Sequence, residues 1–330
     1  MSEETKRILE LVAAGKIDAE QAERLLGALG AGPDEPGANG DSGSGEFDMN
    51  EQAEPERVVV TLEASGQDLV HDDTFDVGSE AKLVVKTTNV AVRVEAGEDG
   101  KVRAQADFSP AQAVGYKVTQ VGDTINVVVR ERDRSVFGKL FDSSGGAIDI
   151  TVPRQTSLDI TTVNGGVTAS GTGRASSLRT TNGAIDGEDM AEEVHAKSTN
   201  GAGSLRRVEG PVFVRTTNGQ IATEDVNDGV DVKTVNGALR CRTETVPGAN
   251  YRLRTTNGSV SVVLVGALSV RVDASTSMGG LTNGLQLDTS ESGKHGMMGH
   301  KLKGTIGDGE SELSIRTQLG SISLQQEATE

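Results

Sequence analysis

An Asn-Gly pair recurs at a constant step of 18 residues and constrains the possible folds more than any other feature of this sequence. A fixed period this short predicts units stacked on one another, because a single unit cannot bury its apolar face alone. Gly and Asn tolerate positive φ, so we expect that conformation at each Asn-Gly corner. Stacked Asn side chains would also form an amide ladder from coil to coil. The candidate ladder consists of Asn164, Asn182, Asn200, Asn218, Asn236 and Asn257.

Apolar residues form columns when the repeats are aligned on the Asn as the first place. The thirteenth and fifteenth places differ by two, the side-chain period of a strand, so each coil is expected to carry a short strand before its corner. The fourth and ninth places supply further candidates for the core. The columns are Val167, Ile185, Gly203, Ile221 and Leu239 at place four, Thr172, Met190, Val208 and Val226 at place nine, Ser176, Val194, Val212 and Val230 at place thirteen, and Leu178, Ala196, Val214 and Val232 at place fifteen.

Two other repeat architectures fit this pattern less well. Asn-Gly is also a hairpin signal, but a row of hairpins needs a second turn signal about every ten residues, and none recurs in phase. A left-handed hexapeptide helix would need small apolar residues at the sixteenth place, which holds Arg or Lys instead. Parallel crossovers are generally right-handed. The sequence therefore predicts a right-handed parallel β-helix, a solenoid with 18-residue coils.

The predicted protein is all-β apart from a small N-terminal α-helical hairpin over residues 1–29. Apolar residues recur there at helical spacing, Gly15 stops the first helix, and Asp18 with Gln21 forms a capping pair for the second. Residues 30–56 contain eight acids and no base, which is typical of a flexible linker. The β-helix is expected over 57–324, with a degenerate first coil at 83–89 and a short tail at 325–330.

Composition and charge narrow the function classes. A net charge of −17 argues against nonspecific nucleic-acid binding, which needs a basic face. Cys241 is the single cysteine, so no internal disulfide forms, and a packed thiol is favoured over a nucleophile because no His is near it in sequence. The chain has no apolar run of membrane-spanning length, and its acidic N-terminus is unlike a secretory signal. We expect a cytoplasmic protein that could lie peripheral to the membrane.

Acidic and basic pairs alternate down the stack at the seventh and eighth places. Opposite charges on neighbouring strands contribute only some tenths of a kcal/mol each, so this ladder is expected to fix register. The alternative is a pair of catalytic carboxylates, Glu188 and Glu224, about 9.6 Å apart across two coils, as in inverting glycoside hydrolysis. Arg206 between them would keep both ionised, which disfavours a general acid.

The sixteenth place carries a basic residue in every coil, and we call this set the basic column. Like charges about 4.8 Å apart repel unless they are neutralised, and Asp231 is the only counter-charge expected at the neighbouring fourteenth place. The column is either a solvated face whose aliphatic stems cover the Thr rows or a stripe for an anionic envelope polymer, lipid headgroups or the acidic linker. Lys86 stands in the matching phrase of the first coil. The basic column is Arg179, Lys197, Arg215, Lys233 and Arg254.

Two irregular segments hold other candidate residues. Phe137 and Phe141 predict either a contact tip for a partner or membrane surface or a local lid over the end of the coil. The segment 294–300 has two His and two Met, a combination that could bind a soft metal such as copper. Its Gly content and the lack of nearby acids favour a disordered surface loop. We therefore predict no metal site, no cofactor and no catalytic residue.

Several phrases resemble one known family. The segments 148–153 (IDITVP), 158–165 (LDITTVNG) and 309–322 (GESELSIRTQLGSI), with the Thr-Thr-Asn-Gly series, are similar to the bacterial putative-adhesin β-repeat family of unknown function. Residues 8–18 resemble the short helical domain attached to that family in the YvlB and LiaX type proteins. The resemblance implies a non-enzymatic β-helix protein linked to cell-envelope stress signalling. The chain departs from the pattern at Leu319-Gly320, where Asn is expected, and in an expanded segment at 290–304.

Three function classes follow from these observations. They are an interaction scaffold, a binding protein for an anionic polymer or lipid surface, and a polysaccharide-active enzyme. The enzyme is the least supported, because the chain has no Trp and its aligned acids alternate with Arg. We predict a non-catalytic scaffold with protein partners or self-association, since a last coil at 321–324 would expose a parallel strand edge.

Overall fold

The computed structural model describes residues 59–65, 70–108, 114–131, 146–295 and 298–328 of the 330-residue chain. Every regular element in that part is a β-strand, and the strands lie in two sheets, A and B. The predicted helical hairpin (1–29), the acidic linker (30–56), Phe137 and Phe141 lie outside the described residues. The domain limits therefore stay predictions.

Sheet A has 14 strands and sheet B has 12. In spatial order, sheet A consists of β1 (Val59–Ser65), β6 (Val114–Val121), β7 (Thr124–Glu131), β3 (Lys82–Lys86), β9 (Ser157–Thr161), β11 (Ser176–Arg179), β13 (Val194–Lys197), β15 (Val212–Arg215), β17 (Val230–Lys233), β19 (Asn250–Arg254), β25 (Ser311–Leu319), β21 (Val270–Met278), β24 (Gly299–Ile306) and β23 (Thr289–His295). In the same direction, sheet B consists of β2 (Val70–Asp76), β5 (Lys101–Asp107), β8 (Gly146–Val152), β4 (Val90–Ala96), β10 (Val167–Ser170), β12 (Ile185–Met190), β14 (Gly203–Val208), β16 (Ile221–Val226), β18 (Leu239–Glu244), β20 (Val260–Val265), β26 (Ile322–Glu327) and β22 (Leu281–Gly284).

Each 18-residue repeat gives one strand to each sheet, and successive repeats pair in parallel. Val212 lies opposite Val194 on one side and Val230 on the other, a shift of one full repeat each time. Ile185, Gly203 and Ile221 are matched in the same way in sheet B. The all-β solenoid is confirmed, and a row of antiparallel hairpins is excluded for the repeats. The handedness of the coil stays a prediction.

The core lies between the two sheets and is made of the predicted columns. Alternate residues of each strand point inward, and the apolar members of the four columns are all buried. Gly203 interrupts the fourth-place column, because a Cβ there would come within 2.9 Å of Val214 Cγ1. Val214 fills that space from the facing sheet. Cys241 is also buried, in line with Ala169 and Leu205 of earlier coils.

The expectation of positive φ at the Asn-Gly corners is wrong. In the repeats the left-handed residues are Gly171, Asp189, Arg207 and Asp225 at the eighth place, where the strand of sheet B bends, and Gly229 at the twelfth place. Gly, Asp and Asn adopt this left-handed conformation most readily. Arg207 also adopts it, and its side chain forms ion pairs with Glu188 and Asp189. The glycine of each corner has another purpose.

The corner glycines are required because successive coils pass very close to one another. A Cβ on Gly201 would lie 1.8 Å from the carbonyl oxygen of Gly183, and a Cβ on Gly219 would lie 2.1 Å from that of Gly201. The same contact recurs at Gly237 and Gly258. No side chain fits at such distances, so the period of the glycine reflects backbone contact between coils.

A buried hydroxyl uses the carbonyl group of each corner glycine. The first Thr of the Thr-Thr-Asn-Gly phrase points inward, and Thr216 Oγ1 donates to Gly201 O at 3.0 Å. Ser198 bonds Gly183 in the same way at 3.0 Å. These bonds satisfy carbonyl groups that would otherwise be buried without a partner. The hydroxyl row is Thr180, Ser198, Thr216, Thr234, Thr255, Thr317 and Thr276.

The Asn side chains form the amide ladder on the outside of the same corner. Each Asn donates its amide hydrogen to the side-chain oxygen of the Asn one coil earlier, over distances of 2.6 to 2.8 Å. Asn164 extends the ladder backwards by donating to Asn89 at 2.6 Å. At the other end the column continues through Leu319. Glycine, hydroxyl and amide therefore act together at every corner.

The order of the coils in space differs from their order in the chain at both ends. The coil of β3 and β4 lies between β7/β8 and β9/β10, so residues 83–89 do not form the terminal coil. At the other end, β26 lies between β20 and β22. The prediction of an exposed parallel edge at 321–324 is therefore wrong. Three antiparallel strands end each sheet at the N-terminal side, where Tyr116 OH donates to Asp73 at 3.0 Å.

The segment predicted to be a disordered loop forms two strands instead. β23 and β24 pair antiparallel, with Ser292 opposite Leu302, and β24 pairs with β21. The tertiary contact with β21 orders a Gly-containing sequence whose own propensity is low. Residues 296 and 297 at its tip lie outside the described part.

We expect Gly201→Ala to destabilise the solenoid by at least about 2 kcal/mol, because the new methyl group overlaps a backbone carbonyl. The free energy of unfolding in urea measures the effect. Gly280→Ala is the matched control, since nothing lies within 4 Å of a Cβ at that position. Equal stability of the two variants would contradict the close approach of the coils.

Replacement of Val214 by Asp is expected to unfold the stack, because the 2% exposed valine would become an unpaired buried charge that costs several kcal/mol. Circular dichroism and thermal melting of the purified protein test this. Ser204→Asp, on the outer face of sheet B, should melt close to the wild-type temperature. A normally folded Val214→Asp protein would show that the core column is misassigned.

Candidate functional site

The basic column lies on the outer face of sheet A, one residue per strand. Arg179 lies opposite Lys197, which in turn lies opposite Arg215. Lys233 and Arg254 follow on β17 and β19. The fifteenth and seventeenth places point inward, so the sixteenth is forced outward by the alternation of the strand. The sheet thus holds these charges in a straight row with strand spacing.

The structure adds Arg316 to this column. It lies on β25, opposite Arg254, although 62 residues separate the two in the sequence. Sequence reasoning missed it because β25 is not part of the 18-residue series. The shared phrase Leu-Arg-Thr at 253–255 and Ile-Arg-Thr at 315–317 was the available signal. Lys86 lies further along the same row, separated from Arg179 by Thr161.

Two members of the column have acidic neighbours. Arg215 Nη1 donates to Asp231 Oδ1 at 2.9 Å and to the Asp231 carbonyl oxygen at 2.8 Å. Arg179 Nη1 lies 3.6 Å from Asp159 Oδ1. The expectation that only Asp231 supplies a counter-charge is therefore wrong, because Asp159 occupies the equivalent place on the preceding strand. The pairs are exposed, so each contributes little to stability.

Four basic side chains gather where the column crosses three adjacent strands, and we call them the basic cluster. Lys233 is on β17, Arg252 and Arg254 are on β19, and Arg316 is on β25. Within the part of the chain that the structure describes, none of them forms an ion pair. Neighbouring strands lie about 4.8 Å apart, so their like charges repel one another. The cluster therefore presents unneutralised positive charge on a chain whose net charge is −17.

An aromatic pair lies on the same face, at the neighbouring fourteenth place. The rings of His195 and Phe213 stack with centroids 4.7 Å apart and an interplanar angle of 9°. His195 also contacts the Glu193 carboxylate. Because the two rings stack face to face across adjacent strands, they add an aromatic surface beside the column.

The outer face of sheet B carries the predicted ladder of opposite charges. Arg207 donates to both oxygens of Asp189, at 2.6 and 3.0 Å, and also to Glu188. The hydrogen bond from Arg207 holds the pKa of Asp189 below its ordinary value. Arg206 lies 3.7 Å from Glu188 and in register with Glu224. The same pattern continues at Arg242, which pairs with Asp225 at 3.0 Å.

This ladder leaves the proposed catalytic pair poorly suited to acid catalysis. Glu188 is engaged by two guanidinium groups, and Arg206 stands between it and Glu224 in the sheet. A general acid must hold and release a proton at the reacting atom. Both oxygens of Glu188 lie in ion pairs, one with Arg206 and one with Arg207. These charges instead pair between neighbouring coils.

The metal and membrane interpretations gain no support from the described residues. No group of three His, Cys, Asp or Glu side chains among them could hold a metal ion. Of the residues in the proposed copper segment, Met298 is exposed and His300 lies on β24. No helix in the described residues has the length and apolarity to cross a membrane.

Comparison with known families identifies the class of protein. The sequence profile of the Toastrack DUF4097 family matches residues 81–325, which is most of the chain. The protein therefore belongs to the Toastrack DUF4097 family, a β-repeat domain of unknown function. Residues 3–34 match a separate profile, that of a SHOCT-like domain. The narrower resemblance to YvlB and LiaX type proteins stays a prediction.

One solved structure with detectable similarity is a "putative cell adhesion protein" from Clostridium sporogenes ATCC 15579. It is 9% identical, with 78% of this chain and 100% of that chain covered and a TM-score of 0.22. So low a score supports no argument from that protein's structure. Among curated proteins, none matches the sequence.

The thiol of Cys241 is expected to be inert in the folded protein. Burial raises its pKa to about 11, so the reactive thiolate is scarce at neutral pH. A thiol-reactive chromogenic disulfide should label the native protein slowly at pH 8 and rapidly in denaturant. Fast labelling of the native protein would contradict the packed position. Cys241→Ala should leave no labelling in either state.

Proposed function

We propose that this protein is a non-enzymatic interaction scaffold that binds an anionic polymer along the outer face of sheet A. The observation that carries the proposal is the basic cluster of Lys233, Arg252, Arg254 and Arg316. Among the described residues these four have no acidic partner, and they stand in rows set by the sheet. A polymer with repeating phosphate or carboxylate groups would neutralise them.

The rigid spacing of the column supports a repeating ligand over a single small anion. The strands hold the charges in a row about 4.8 Å apart, and the coil corners leave this row little freedom to spread. An extended polyanion can contact several members at once, which raises its effective concentration at each one. Lys197 and the stacked His195–Phe213 pair extend the surface beyond the basic cluster.

Binding of this kind should depend strongly on salt, because exposed charges are screened over about 10 Å at 0.1 M ionic strength. We expect the full-length chain to bind fluorescent linear polyphosphate at low salt and to release it as salt rises. The triple variant Lys233→Gln, Arg254→Gln, Arg316→Gln should bind about tenfold more weakly, at roughly 0.5 kcal/mol per lost contact. Fluorescence anisotropy at several salt concentrations measures both effects.

The matched control removes three positive charges from the other sheet. Arg93, Arg206 and Arg240 are exposed on sheet B, and their replacement by Gln should leave polyphosphate binding close to that of the wild type. A similar loss in both triple variants would mean that only net charge matters. No salt-sensitive binding by the wild-type chain would refute the proposal, and anionic vesicles form a separate arm that distinguishes a lipid surface from a polymer.

The link to cell-envelope stress is a further part of this proposal and is supported by the family resemblance at 148–165 and 309–322. We propose a cytoplasmic protein that moves to the membrane periphery under such stress. Imaging of a fluorescent fusion before and after treatment with an envelope-damaging agent tests it. An unchanged, uniform distribution would argue against that role, and the polyanion measurement would stand independently.

A further inference from the structure

The two sheets end at different heights at the C-terminal end of the solenoid. β21 of sheet A and β22 of sheet B belong to the same coil and each pairs with the coil of β25 and β26. Beyond β21, sheet A continues with β24 and β23, whereas β22 is the last strand of sheet B among the described residues. Two strands of sheet A therefore lack a counterpart on the facing sheet.

Strands β24 and β23, which lack a counterpart on sheet B, cover a cleft that is lined by leucines and bordered by basic side chains. Ala274 faces the core and lies opposite Leu302, which in turn lies opposite Ser292, so the alternate residues Leu302, Ser292 and Lys294 share the inner face. The cleft has a volume of about 650 Å³ between this face and β22. Four leucines line it, together with Lys294, Lys301 and His300, and no acidic residue of the described part does.

The far edge of β22 has unused backbone groups. On its near side β22 pairs with β26, and Ile322 N donates to Gly280 O at 2.9 Å. Because backbone groups alternate in direction along a strand, Leu281 and Asn283 direct theirs to the other side. The described part of the chain has no strand on that side. Asn283 ends the strand by bonding Leu285 through both its amide nitrogen and its oxygen.

Exposed apolar side chains lie at the same end of the molecule. Leu319, Met278 and Met298 follow the Asn ladder on the same corner, with 48%, 51% and 68% of their surfaces exposed. In the repeats this row is polar Asn, so the change to large apolar residues is confined to the last coils. An exposed apolar group beside an open sheet edge is typical of an interaction site.

We propose that this cleft binds an extended acidic peptide from a partner protein, which adds to β22 as the next strand of sheet B. Its backbone would use the free groups of Leu281 and Asn283, and its inward side chains would be apolar ones against the leucines and acidic ones beside Lys294. A strand is favoured over a lipid chain, because an acyl chain offers no groups for the open backbone edge. Strand addition to an exposed sheet edge is an established mode of peptide recognition.

The test uses the full-length protein and a fluorescent eight-residue peptide, Val-Ser-Glu-Ser-Val-Ser-Glu-Ser, whose Val and Glu side chains share one face of the strand. We expect the peptide to bind, and we expect N-methylation of alternate peptide bonds to abolish binding by removing backbone donors. A Val and Lys peptide of the same length should bind at least about tenfold more weakly. Failure of the Val and Glu peptide to bind, or equal binding of its N-methylated form, would overturn the proposal.

Two lysines of the same hairpin provide a matched pair of variants. Lys294→Gln, on the inner face, should weaken binding of the acidic peptide about threefold, a typical effect for one exposed charge pair. Lys303→Gln, on the outer face beside Asp273 at 3.6 Å, should leave it unchanged. Thermal melting verifies that both variants fold. Equal losses in the two variants would place the peptide elsewhere.

A second copy of this chain is the competing occupant. Sedimentation of the wild-type protein with and without the peptide separates the two cases. A monomer that binds the peptide supports the proposal, whereas a dimer that the peptide dissociates would assign the cleft to self-association. This test is independent of the polyanion measurement, because Lys294 is not part of the basic cluster.

Discussion

The close approach of successive coils at the Asn-Gly corner is the constraint on which the rest of the structure depends. A Cβ on a corner glycine would lie about 2 Å from the carbonyl oxygen of the preceding corner glycine. For a Cβ added to Gly183, the distance to Gly165 O would be 2.0 Å. Each carbonyl is then close enough to accept a hydrogen bond from a buried Thr hydroxyl, and each Asn reaches the Asn one coil away. Since both bonds require the same offset of one coil, the corner fixes the register of both sheets.

Fixed register has a direct consequence for the two outer faces. Every residue at a given place of the repeat falls in one row, so the charge of a row is decided by the sequence alone. On sheet B the seventh and eighth places alternate in sign, and Arg207 pairs with Asp189 and Glu188. On sheet A the sixteenth place keeps one sign, and Arg316 continues it from outside the repeats. One face therefore pairs its charges between coils, and the other keeps positive charge without an ion pair at the basic cluster.

The ends of the stack follow a different rule from the repeats. Chain order and spatial order agree from β9 to β20 but not beyond, because β25 and β26 return to lie between earlier and later strands. Antiparallel strands complete both sheets at the N-terminal end. At the C-terminal end only sheet A is extended, and the step between the sheets creates the cleft beside β22. The regular repeats thus form the uniform part of the solenoid. The irregular ends form the surfaces that differ from it, including the cleft.

The sequence by itself determined the repeat, its inward columns, the strand before each corner, the Asn row and the outward direction of the basic column, because each depends on a local period of 2 or 18 residues. It also indicated that Glu188 and Arg206 would be neighbours. Only the tertiary structure decided why the corner glycines recur, since their requirement is a contact between coils rather than a φ angle. The tertiary structure alone places Arg316 beside Arg254. It also pairs the strand at 322–327 with a neighbour on each side and orders strands β23 and β24. Those features depend on pairing between residues far apart in the chain, which no local period records.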